Sequence, residues 1–259
     1  MDATTYIGLD LAWSEGNQSG AAALRGGPAG AALLEPPALL GDMDAVVAYV
    51  LRHAGAGPAI VAVDAPLLVP NVTGRRPAEA ALARVFRPYE AGAHPANRAL
   101  LDRGGAGVRG ELLVARLAAH GFAAAPAVAA GQGGRLVTEV YPHAAMVALF
   151  GLPRTLKYKA RGRRGPGERH AAWRAYQAHM LDLAAADPPL RGPLDLLETR
   201  VETLRGAALK GYEDRVDALL CAYIALYAHR WGAARCRTFG DQAGGWIFTP
   251  VPPELWRES

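Results

Sequence analysis

The chain is short of several things at once. Only two cysteines, Cys221 and Cys236, occur in 259 residues, which excludes a disulfide-built scaffold and matches no zinc-ligand spacing. Both read as reduced thiols of a cytoplasmic protein. No uninterrupted apolar run approaches the roughly 18 residues that span a bilayer. The N-terminus carries Asp2 where a secretory signal would have a basic segment, so no membrane partner is expected. Lysine is scarce, with Lys157, Lys159 and Lys210 alone, and the formal net charge of +4 is therefore almost all arginine. A mild excess of this kind permits nucleic-acid binding without requiring it, and compositional bias toward Ala, Gly and Arg explains it equally well. No helix-turn-helix, zinc motif or aromatic-and-basic stacking platform is evident, so no class of nucleic acid is singled out.

What is present is ample core material. Just over half of the residues are apolar and a fifth are charged, enough for one large domain. Residues 5–12 (TYIGLDLA) read as a strand, and 19–25 and 30–35 as two further antiparallel strands of a meander. A capped helix follows over 42–54, and the continuous apolar run 59–63 (AIVAV) has the pattern of a buried central strand. Residues 71–122 look like a helical and loop insertion, with helices over 78–86 and 111–120. A strand over 135–140 leads to a helix at 143–150, a basic loop 154-RTLKYKARGRRGPGER-169 and a helix over 167–186. The last helix is expected from about 213 to 231, with a short strand at 245–248. Strands first, then strands alternating with helices, predict an α/β domain with a mixed sheet.

The informative pattern is where acidic residues fall. Asp10 ends the first strand, Asp64 ends the buried run, Glu139 ends a later strand, and Asp214 and Asp217 begin the final helix. In α/β sheets, reactive groups gather just beyond strand ends, where side chains converge on one crevice. Carboxylates meeting there repel one another, and a divalent cation removes the conflict. An oxygen-only donor set favours magnesium, manganese or calcium over zinc. Capping accounts for an acidic residue in a first helical turn, and turn formation for aspartates after strands, but four together favour a site.

The segments 8-GLDLAW-13, 63-VDAPL-67, 139-EVYPH-143, 156-LKYK-159 and 212-YEDRVDALLCAY-223 give the chain a resemblance to the ribonuclease-H-like superfamily. Within it the chain is most similar to the family catalogued as domain of unknown function 429, regarded as ribonuclease-H-like nucleases. The resemblance implies one ribonuclease-H-like domain over 1–259, with a five-stranded mixed sheet, its first three strands antiparallel, flanked by helices. The insertion would follow the fourth strand. It implies a two-metal site for Mg2+ or Mn2+ held by Asp10, Asp64, Asp214 and Asp217, with Glu139 as a looser catalytic counterpart. The activity implied is metal-assisted hydrolysis of phosphodiester bonds in DNA or RNA. Lys157, Lys159 and Arg161, with Arg163 and Arg164, would hold phosphates, Trp13 would line the cleft, and His143 would assist proton transfer. Two alternatives stay open. One is an ATP- or phosphate-binding protein of the actin and sugar-kinase branch, using 15-EGNQSG-20 as a phosphate loop. The other is a non-catalytic regulator that binds metal or nucleic acid.

Overall fold

The computed structural model describes residues 3–14, 16–102, 104–159 and 165–257. Its first strand, β1 (Thr4–Asp10), is buried along almost its whole length. It pairs antiparallel with β2 (Ser19–Gly27), which pairs antiparallel with β3 (Gly30–Leu33). A short strand, β4 (Ala38–Leu40), returns to the start of β2. Helix α1 (Met43–Ala54) follows, its first turn capped by the Asp42 carboxylate accepting from Ala45 N. The chain then enters β5 (Ala59–Val63), whose five residues are all buried and which runs parallel to β1.

Between β5 and the next long strand lie α2 (Pro77–Phe86), α3 (Arg98–Leu101), α4 (Arg109–Ala118) and the two-residue β6 (Ala123–Ala124). They occupy the stretch over which helices and loops were expected. The strand β7 (Arg135–Glu139) lies parallel to β5, and α5 (Pro142–Phe150), α6 (Pro166–Asp182) and the short β8 (Leu190–Arg191) lead to α7 (Gly206–Trp231). A hairpin of β9 (Cys236–Asp241) and β10 (Gly245–Pro250) forms a second, two-stranded sheet.

The main sheet runs β6-β7-β5-β1-β2-β3-β8, with β4 beside β2. The first three strands are antiparallel and helices flank the sheet, as expected, but it has eight strands where five were predicted. The three additional strands are two or three residues long and take their shape from the neighbour they pair with. Segments that short carry no periodicity to read.

Two other elements differ from the sequence expectation. The last helix starts at Gly206, almost two turns before 213. The glycines of 206-GAALKG-211 read as breakers, yet Gly211 packs where a Cβ would sit 2.7 Å from Leu39 Cδ1. Asp214 and Asp217 therefore occupy the third and fourth turns, beyond the reach of the N-terminal dipole, and capping no longer accounts for either. The C-terminal strand is half of a hairpin, whose partner β9 was not anticipated. Among the described residues, no helix is long and apolar enough to cross a membrane.

Candidate active site

Three parallel strands finish in register. Leu9 pairs with Val63 and Val63 with Glu139. Asp64 N then donates to Leu9 O at 2.8 Å, and Val140 N to Val63 O at 2.9 Å. Asp10 and Asp64 consequently leave adjacent strands at the same sheet edge. β1, β5 and β7 run parallel, and in α/β sheets ligands bind in the crevice beyond the carboxyl ends of such strands.

The fourth wall of this crevice is α7. Lys210, Glu213, Asp214 and Asp217 follow the spacing i, i+3, i+4, i+7 and share one face of the helix. They reach Asp10 because α7 lies directly on the sheet. Asp10 pairs with Gly20, and a Cβ on Gly20 would stand 1.9 Å from the backbone oxygen of Asp214. Gly8 of β1 allows an equally close approach, since a Cβ there would meet Ala218 O at 2.0 Å. Any side chain at either position would lift the helix, and its carboxylates, off the strand ends.

The electrostatics are those of crowded acids with too few counter-ions. Burial pushes the Asp10 carboxyl well above the usual carboxylate range, and Asp217, Asp64 and Asp214 push it further. Asp64 stands at about 7, raised first by burial and then by Asp217 against the pull of Lys159 and Lys210. Asp217 is 0% exposed. Burial would raise it too, but Lys159 Nζ at 2.8 Å from Oδ2, then His143 and the Tyr158 hydroxyl donating to Oδ1 at 2.7 Å hold it low; the Tyr176 hydroxyl also donates to Oδ1, at 3.1 Å. For Lys159, burial works against the charge, while Asp217, Asp10, Asp64 and Glu213 prevail and keep it protonated. Lys210 bridges Glu213, at 3.2 Å, and Asp214.

These groups line a cleft of about 620 Å³. Asp10, Asp64, Glu139 and Asp214 all reach it, as do Lys159 and His143, and Trp13 stands at its rim with half of its surface exposed. Asp217 is fully buried and does not contribute to the lining. Glu139 is already engaged: it accepts from Leu67 N at 3.0 Å and from Arg76 Nη1 at 2.9 Å and Nη2 at 2.5 Å. Arg76 also holds Glu79, and all three side chains are buried. His143 places Nδ1 3.2 Å from Thr155 Oγ1 and stacks on Tyr158. Lys157 does not line the cleft and pairs with Glu90 at 3.0 Å. Arg161, Arg163 and Arg164 lie outside the described residues, as does Glu15 of the 15–20 turn.

Five residues of this arrangement escaped the sequence reading. Glu213 and Lys210 share the helix face of the two aspartates and become legible once the helix is extended to 206. Tyr158 and Tyr176 gave no signal, because a buried tyrosine looks like ordinary core. Arg76 opens 76-RPAE-79, a helix start with Glu79 three residues on, but its pairing with Glu139 spans 63 residues.

The donor set suits a hard divalent cation: it is all oxygen, burial and then neighbouring acids raise the Asp10 and Asp64 carboxyls, and Asp10 Oδ2 is buried without a hydrogen-bond partner among the described residues. Among those residues, no three acidic, histidine or cysteine side chains are yet gathered around one point as a cation would need. The two lysines occupy some of that space. A protein-family model described as "Protein of unknown function (DUF429)" matches residues 8–243. No curated protein and no solved structure matches the chain.

Proposed function

The chain belongs to the DUF429 family, and from that premise we propose that it is a ribonuclease-H-like, metal-dependent nuclease hydrolysing phosphodiester bonds of nucleic acid. One observation carries the reading: the buried, unpartnered Oδ2 of Asp10 at the end of β1, beside the carboxylates of Asp64 and Asp214. A buried carboxyl oxygen without a donor is costly, and an oxygen-seeking cation is the simplest group to stabilise its ionised form.

Asp10, Asp64 and Asp214 line the cleft and would hold Mg2+ or Mn2+. Such an ion, when bound, lowers the pKa of a coordinated water and offsets charge on the phosphate. Asp217 keeps Lys159 in place, and its own oxygens enter a ligand set only if that lysine moves. Lys159 and Lys210 offer ammonium donors to phosphate oxygens. Trp13 offers a half-exposed ring on which a base can stack. Glu139 acts through Arg76, which ties the insertion to the sheet and so fixes the opposite wall.

The test is manganese-dependent cleavage across single-stranded, duplex, hybrid and branched oligonucleotides. Asp10→Asn is expected to abolish cleavage while leaving the far-ultraviolet spectrum in place and without lowering the cation-free melting temperature. Unchanged cleavage in that variant refutes the assignment. A second reading, a regulator that binds without cutting, is favoured by the two lysines that already neutralise some of the cluster's charge. It predicts oligonucleotide binding with no product at any manganese concentration.

A further inference from the structure

The two lysines of the cleft are held very differently. Lys159 has a side chain 18% exposed and sits against Asp217, which is wholly buried and also receives two tyrosine hydroxyls. Withdrawing its ammonium would strand a buried carboxylate, so Lys159 is a fixed component of the site. Lys210 has a side chain 62% exposed. It rises from α7 one turn before Asp214, bridges Asp214 and Glu213, and also lines the cleft. Its partners Asp214 and Glu213 are only 6% and 10% exposed, so the ammonium leaves them only in exchange for another cation, but its own end stands mostly in water on a stem that swings freely.

We infer that Lys210 is a displaceable counter-ion: a phosphate in the cleft draws its ammonium away from Asp214 and Glu213, and the freed carboxylate oxygens then receive the divalent cation. The inference rests on the metal-dependent reading above and adds to it a binding role for Lys210 and an order of events. One movement serves both ligands. While Lys210 bridges the two acids, a cation meets an occupied, partly neutralised face and a phosphate meets an occupied ammonium. After it swings, each finds its partner exposed. Cation and phosphate therefore bind cooperatively, and by linkage each raises the affinity of the other by the same factor.

The experiment measures Mn2+ affinity by paramagnetic resonance of the free ion, with and without thymidine 3′,5′-bisphosphate. That probe carries phosphates and a base but no diester to cut, and Mn2+ held by the nucleotide alone is subtracted. Three proteins are compared: wild type, Lys210→Met and Arg215→Met. Arg215 belongs to the same helix turn but donates to Gly211 O at 3.1 Å, so its loss removes the same charge without opening a carboxylate. Wild type is expected to bind Mn2+ about fivefold more tightly with the nucleotide present, the size of a half-exposed ion pair. Lys210→Met is expected to show that gain without nucleotide and no further gain with it, while Arg215→Met follows wild type. Lys210→Met with wild-type affinity, undiminished coupling in it, or an equal gain in Arg215→Met would each overturn the inference and leave the metal site standing. Failure of all three proteins to bind Mn2+ at millimolar levels would remove the metal-dependent reading itself, and the inference with it.

Discussion

At the residue scale, the site is a set of carboxylates whose protonation the fold controls. Asp64 stands at about 7, against roughly 4 for an aspartate in an unfolded chain. The folded state thus prefers the protonated acid. Its contribution to stability is complete below about pH 4 and is lost as the pH rises through about 7. Cation-free protein is expected to melt at a lower temperature at pH 8 than at pH 5, and Asp64→Asn to flatten that fall. Thermal melts in chelator across this range decide it, since an equal fall in the variant would acquit Asp64. Asp10 and Asp64 were legible as candidates because a carboxylate closing a buried apolar strand is conspicuous in any sequence. Glu213 was not, because in 212-YEDRVD-217 it differs from its neighbours only in which way the helix turns it. Glu139 shows the converse. It has the same strand-end signature as Asp64, yet its carboxylate is taken up by Arg76.

At the element scale, the decisive contact is α7 on β1 and β2. The helix is buried on nearly all sides beyond its second turn, so its apolar sequence announced a packed helix. Its start was misplaced because glycine lowers helix propensity, while here Gly211 lies within the helix and packs against the side chain of Leu39. The glycines of the strands carry the same lesson. Gly20→Ala would place a Cβ 1.9 Å from Asp214 O, and the helix must lift to admit it. A cost of about 1–3 kcal/mol is expected from such overpacking, together with weakened Mn2+ binding. Gly27→Ala lies in the same strand with nothing within 4 Å of the added carbon. Urea denaturation should find it nearly neutral, and equal losses in the two variants would mean that strand propensity, not helix contact, sets the cost.

At the scale of the whole molecule, the insertion is bound to the sheet through Arg76, which joins Glu79 of α2 to Glu139 of β7. Removing one member of a buried ion pair leaves the other charge uncompensated, and Arg76→Met is expected to cost about 3–5 kcal/mol. Adding Glu139→Leu should recover some of that loss, and hydrogen exchange should show faster opening over 66–80 in the single variant than in the double. No recovery would mean that packing or the Glu79 pair, not the Glu139 pair, carries the cost. The sequence by itself determined which segments are buried and which strands end in an acid, because apolar periodicity and strand length are local properties. It also determined the mixed α/β class, through the order in which those segments occur. The tertiary structure alone decided which acids meet, which are already paired with arginine or lysine, and that two lysines share the space between them. Those are facts about distance between residues far apart in the chain, and they follow from strand register and from how closely glycine lets a helix approach a sheet.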